Sequence, residues 1–252
     1  MWRSTRMVVL TAISAALYAS ILIPFKVVPL IPGVTEFRPA SAVPVVCSFL
    51  FGPAGAWGAA FGNVIGELFG GLGPGDVFGF IANLAYGFVP YALWETFTDA
   101  PPTARTVRGG VALLAVIAVA ALLCATIVGW GLNMLGFHPF TLLAPLVFVN
   151  SAVASAVLAP LLLRVLHPRL AKAHLLYRDV LGPRARPSWP RRLLGVSLVV
   201  SGTVAAFTTG WLVASGRWVP PWAVLHTASG GGEIGLGLLP LLAVVLLGCL
   251  LL

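Results

Sequence analysis

Charge is what this sequence has least of. Only 9% of its 252 residues are Asp, Glu, Lys or Arg, and just seven are acidic. A soluble domain carries about 25% charge, so a water-soluble fold is excluded. So is a long disordered tail, which needs polar residues in excess of apolar ones. Cysteine is scarce too. Cys47, Cys124 and Cys249 each lie inside an apolar run. They read as small packing residues, and no Cys/His spacing points to a disulfide framework or a zinc site. The chain also lacks a Gly-Lys-Ser/Thr phosphate loop, an HExxH pair and paired intramembrane aspartates. There is no internal repeat of the kind inverted-repeat transporters carry. His226 and Ser229 are close, but they share one Gly-rich loop. An intramembrane serine protease needs its Ser at a helix start facing a His from another helix. The sequence therefore predicts no enzyme and no cofactor.

What is present is apolar. Hydrophobic residues make up 59% and mean hydropathy is +1.01. The apolar runs are continuous and about 20 residues long, the length of a membrane-spanning helix; a transmembrane barrel would show short alternating segments. The expected fold is an all-α membrane protein of eight helices, at about 6–24, 39–51, 54–70, 76–97, 109–133, 140–166, 192–215 and 233–252. Residues 1–166 form a six-helix core and 167–192 a basic segment whose Gly182, Pro183, Pro187 and Pro190 suit a linker with a short helix before it; residues 193–252 form a two-helix appendix. Met1-Trp2-Arg3 resembles the start of a signal peptide, but no small-residue cleavage site follows, so helix 1 is expected to be retained.

The net charge of +8 invites a nucleic-acid reading. The positive-inside rule explains it better, because the charges sit in a few connecting segments. With the N-terminus cytoplasmic, Arg3, Arg6, Arg105, Arg108 and the eight basic residues from Arg164 to Arg192 fall inside, while Lys26, Arg38 and Arg217 fall outside. That orientation puts both termini in the cytoplasm. It also requires short helix 2 to cross the membrane, with the Phe51-Gly52-Pro53 turn recessed; otherwise the large basic segment would face out.

Polar residues gather between Ile31 and Trp94. Helix 3 places Gly58, Gly62, Gly66 and Gly70 four apart, a stripe suited to close helix packing. Asn63 and Glu67 lie beside it, also four apart. A carboxylate such as Glu67 is costly near the apolar interior, so it faces a cavity or a partner, unless it sits high enough to be solvated. Asn83 on helix 4 is its natural polar neighbour, either as an interhelical hydrogen bond or as a pocket group. Asp76 follows a run of glycines and is expected to cap helix 4. Glu36 and Arg38 flank Phe37; they pair with each other, or Arg38 serves a binding site. Asn133, His138 and Asn150 are weaker candidates. The expected substrate-binding set is Glu36, Arg38, Asn63, Glu67, Asp76, Asn83, Asn133 and Asn150.

Residues 1–97, and more loosely the chain through 166, resemble the substrate-binding S components of energy-coupling factor (ECF) vitamin transporters. Helix 1 reads Leu10-Thr-Ala-Ile-Ser-Ala-Ala-Leu-Tyr-Ala-Ser20, with overlapping Ala12/Ala16 and Ala15/Ala19 pairs. In that family a small-residue stripe on the first helix docks the transmembrane T component. The run from Glu36 to Pro44, then Leu50 to Phe69 with its Gly-x-x-x-Gly-Asn, is similar to the helix 2–3 hairpin of S components for queuosine precursors. It departs from that pattern at Pro39-Ala40-Ser41, where an acidic step is usual. Helices 7 and 8 also lie outside the usual six-helix plan. The resemblance implies a plasma-membrane binding subunit with no chemistry of its own. It would capture a vitamin or queuosine-precursor-like molecule at the outer face, topple on docking a T component through Ala12, Ala15, Ala16 and Ala19, and depend on two partner ATPases that use ATP. The alternatives are a partner-independent transporter and a structural membrane protein with the same fold.

Overall fold

A computed structural model describes residues 1–26, 29–31, 35–36, 38–98, 100–182, 187–218, 220–222 and 234–252, and the side chains of all of these except 29–31 and 35–36. The helices are α1 (Thr5–Phe25), α2 (Ala42–Phe51), α3 (Pro53–Leu68), α4 (Asp76–Phe97), α5 (Val107–Met134), α6 (Phe140–Lys172), α7 (Tyr177–Leu181), α8 (Trp189–Ala214) and α9 (Leu239–Leu251). Short 3-10 turns, Pro39–Ser41 and Gly235–Leu238, lead into α2 and α9. Between α1 and α2 a small antiparallel ribbon pairs β1 (Pro29–Ile31) with β2 (Thr35–Glu36). Five helices, α1, α4, α5, α6 and α8, are long and apolar enough to cross a membrane by themselves.

The glycine stripe of α3 packs along α1. A Cβ on Gly62 would sit 2.7 Å from the Ala15 carbonyl oxygen and 2.9 Å from Tyr18 Cβ. Gly58 faces Ser14 and Gly66 faces Leu22 in the same way, so the two helices run parallel with backbones in contact. Helices α1, α3, α5 and α8 run one way along the bundle and α2, α4, α6 and α9 the other, while the five-residue α7 stays at one end. One end carries the 70–75 glycine loop, and the other carries Arg105, Arg108, Arg169, Arg178 and Arg192, the basic end.

Helix α2 has ten residues, all buried. That is about 15 Å of rise, half the bilayer core. It runs from partway down the bundle to the basic end, because its start is sunk. The Arg38 backbone N–H donates to Asn150 Oδ1 at 3.4 Å, and Asn150 lies ten residues into α6, about 15 Å from its first turn. The recess expected at the Phe51-Gly52-Pro53 turn is therefore at the opposite end of the helix. The turn itself lies at the basic end against the Tyr177 ring, which a Cβ on Gly52 would meet at 2.8 Å.

The expected linker is largely helical. Helix α6 runs past Leu166 to Lys172 in spite of Pro168. Arg169 and Lys172 in its last turn complement the helix dipole, and nothing obliges a helix to stop where its apolar run does. Pro183 and Arg184 lie outside the described residues, as do Glu233, the expected start of the last helix, and the His226–Ser229 loop. At the basic end, Glu95 accepts hydrogen bonds from the Tyr177 hydroxyl and from Arg178 Nε, the latter at 3.1 Å. Burial, then the Glu95 contact, pushes the Tyr177 phenol above its ordinary value, so it stays a donor. The Arg192 guanidinium donates to the last carbonyls of α4, on Glu95 and Thr96.

Helices α8 and α9 pair antiparallel across Gly195 and Gly248, each backbone filling the space over the other's glycine. Val196, Val199 and Val245 join the same buried cluster as the first six spans. The appendix is packed into the bundle rather than hung beside it.

A polar chamber as the candidate binding site

Chain geometry brings the ends of α1, α2, α3 and α4 together at the glycine-loop end. Lys26 follows α1, Arg38 precedes the turn into α2, and Glu67 sits in the last turn of α3. Lys26 Nζ lies 2.5 Å from Glu67 Oε2, and Arg38 Nη2 lies 3.4 Å from Glu67 Oε1. Their side chains are 11%, 31% and 16% exposed for Lys26, Arg38 and Glu67. A carboxylate this deep is held by two cations, which is how a buried charge is tolerated.

Beside this triad the Tyr18 hydroxyl donates to Asn83 Oδ1 at 3.0 Å, and Asn83 Nδ2 donates to the Gly79 carbonyl at 2.9 Å. Asn63 reaches across from α3 into the notch at Gly79, where a Cβ would lie 2.9 Å from Asn63 Nδ2. Asn63 Oδ1 is buried and has no hydrogen-bond partner among the described residues. Such an acceptor costs about 1–3 kcal/mol until something donates to it. The Asp76 carboxylate accepts from the Gly73 N–H at 2.7 Å and so pins the glycine loop. It is the first residue of α4 and not its cap, since Gly75 holds that position.

These groups line an open chamber of about 250 Å3, formed by Arg38, Asn63, Glu67, Asp76 and Asn83 with Gly71, Gly73, Gly75 and Gly79, and walled on its apolar side by Val128, Leu132 and Phe137. That is below the usual range for drug-sized ligands, about 300–1,000 Å3; it suits one small ring system rather than a nucleotide. A guanidinium, two amides and two carboxylates offer donors and acceptors of both kinds to the edge of such a ring.

Five of the eight expected residues thus line one chamber. Asn150 supports it from behind through the Arg38 backbone. Asn133 is buried outside the lining, with its Oδ1 unpartnered among the described residues. The Glu36 side chain is outside the described residues, and Arg38 is paired with Glu67. Lys26 and Tyr18 were not on the expected list. A lysine closing an apolar helix, and a tyrosine inside one that needs a partner for its hydroxyl, are the signals that point to them.

The four alanines of α1 divide. Ala15 and Ala19 are buried, at 5% and 4% exposure, with Ala15 against Gly58 and Gly62. Ala12 and Ala16 are exposed. Of the four, Ala12 and Ala16 are the two that face away from the bundle.

A family model described as QueT transporter matches residues 8–168, the span that holds the chamber and α1 through most of α6. No curated protein and no solved structure matches the chain. The chain belongs to the QueT transporter family, the type of membrane component that the helix 2–3 motifs resemble.

Proposed function

We propose that this member of the QueT transporter family is the substrate-binding subunit of an ECF-type importer, and that its chamber takes a queuosine-precursor-like base. The observation that carries this reading is the convergence of Arg38, Asn63, Glu67, Asp76 and Asn83 on one small chamber at one end of the bundle. A flat guanine-like ring presents donors and acceptors along its edge. Asn63 Oδ1 accepts from it, Arg38 donates to it, and the Lys26–Glu67–Arg38 triad holds the charges in place so that they need not reorganise on binding. By the positive-inside rule the chamber opens outward and both termini lie in the cytoplasm. The exposed Ala12–Ala16 face of α1 is where a T component docks, and two ATPases bound to that component spend ATP to drive delivery.

Titration calorimetry of the purified chain with a queuosine-precursor base tests the substrate. Saturable binding at one site, weakened by Asn83→Ala, is expected. No heat of binding to the wild-type chain would remove the substrate assignment. Affinity purification from the native membrane tests the importer. The expected outcome is recovery of a T component with two ATPases; recovery of the chain alone, with uptake intact, would favour a partner-independent transporter.

A further inference from the structure

A second cleft opens at the basic end, between the α4–α5 loop and the tail of α6. It holds about 1080 Å3, far more than the chamber. Trp94, Phe97, Ala112 and Pro168 give it apolar walls, and Arg105 and Arg108 stand at its rim. Both arginines are exposed, and neither has an ion-pair or hydrogen-bond partner for its guanidinium among the described residues. The loop that carries Arg105 is tied down: Trp94 Nε1 donates to the Ala100 carbonyl at 2.8 Å, the Thr103 N–H donates to the Pro101 carbonyl at 2.8 Å, and the Thr106 hydroxyl accepts from the Gly109 N–H at 3.1 Å. On the α6 side, Pro168 continues a face with Leu161 and Val165, at spacings of four and three. Leu161 and Val165 are 59% and 46% exposed, so this face meets lipid and leads into the cleft.

Cations without a partner among the described residues, at the mouth of an apolar cleft that is open to the lipid side, match an amphiphile with an anionic head. We propose that this cleft binds an anionic phospholipid. Its phosphate sits between Arg105 and Arg108, and one acyl chain lies along Leu161, Val165 and Pro168. Guanidinium groups suit a phosphate because their paired N–H groups match its oxygens. A soluble anion would make no use of the apolar wall.

The test uses the full chain, purified and stripped of lipid, with phosphatidylglycerol, phosphatidylcholine and glycerol 3-phosphate as probes. Native mass spectrometry and thermal unfolding are the readouts. Phosphatidylglycerol is expected to leave one tight adduct and raise Tm, and the other two probes to do neither. Arg105→Gln with Arg108→Gln should weaken that adduct roughly thirty-fold, the loss expected for two basic residues near a lipid headgroup. Arg169→Gln with Lys172→Gln removes the same charge from the same end but outside the cleft, and should leave the adduct intact. Ala112→Phe fills the cleft with both arginines in place and should abolish it, which keeps the test decisive if the arginine double variant fails to fold. An equal adduct with phosphatidylcholine, equal loss in the Arg169/Lys172 variant, or persistence in Ala112→Phe would each overturn the proposal. Stabilisation by glycerol 3-phosphate equal to that by phosphatidylglycerol would replace the lipid with a soluble anion.

Discussion

Glu67 is the group on which the chamber's charges depend, so Glu67→Gln is the substitution to make first. It keeps the size of the side chain and removes the charge. Breaking a buried ion pair by deleting one partner costs about 3–5 kcal/mol, because the other charge is left stranded. Here two cations are stranded, but Lys26 and Arg38 retain 11% and 31% of their side-chain exposure, and water reaches part of each. The expected cost is about 2–3 kcal/mol, or a Tm lower by about 4–12 °C for a chain of this size. Lys26→Met alone should cost less, about 1–2 kcal/mol, because Glu67 keeps Arg38 at 3.4 Å. The double variant leaves only Arg38, which is the most exposed of the three and turns to water. Its cost should fall short of the sum of the singles by about 1–2 kcal/mol, the size of coupling seen between contacting residues. Thermal unfolding of the four proteins in one detergent gives the cycle. Additivity within about 0.5 kcal/mol would mean that the 2.5 Å contact carries no coupling, and the triad would cease to be the organising element of the chamber. Calorimetry on the folded Glu67→Gln protein then asks the functional question: ligand affinity should drop by about one to two decades.

Tyr18→Phe removes the donor that orients Asn83 and should lower affinity about tenfold with a stability loss near 1 kcal/mol; calorimetry that finds affinity unchanged would take Asn83 out of the binding reading. Ala16→Trp should abolish uptake and co-purification of partners while leaving ligand binding intact. Ala15→Trp should prevent folding instead, since its side chain would enter the α1–α3 contact, and normal size-exclusion behaviour of that variant would contradict the packing described. In a background free of Cys47, Cys124 and Cys249, a cysteine replacing Arg184 should react with an impermeant thiol reagent only after the cells are opened; labelling in intact cells would reverse the orientation.

Much of the fold was legible because apolar runs and glycine spacing act locally. The stripe at Gly58, Gly62 and Gly66 announced a helix contact before its partner was known, and α1 proved to be that partner. The chamber was half legible. Glu67, Asn63 and Asn83 stood out because charge and amide groups are expensive in an apolar interior. Their grouping with Arg38 was legible, because all four fall at the same end of the predicted topology; the direct Arg38–Glu67 contact was not, because it depends on how far the start of α2 is sunk against Asn150 of α6. The division of the four alanines was hidden for a related reason. Residues at a spacing of four share a face, but Ala12/Ala16 and Ala15/Ala19 form two adjacent stripes, and only the position of α3 decides which is covered. The tail of α6 is not legible from hydropathy, because the apolar run ends before the helix does. Pro168 did not break it, while Arg169 and Lys172 favour its continuation.

The burial of every residue of α2 has a consequence for how the chain is made. A segment of ten residues is too short to be recognised as a span during synthesis, and none of its side chains ends up in contact with lipid. It must therefore enter the bilayer together with α3, as a hairpin closed at Gly52. Its wall is not complete when it does so, because Ser151 and Ser155 of α6, which bond to the Ser41 hydroxyl and carbonyl at 3.5 and 3.0 Å, are translated about a hundred residues later. Until α6 arrives, the Arg38 N–H and the Ser41 hydroxyl lack the partners that Asn150 and Ser151 supply. Substitutions at Ser151, Ser155 or Asn150 should therefore show themselves first as low yield.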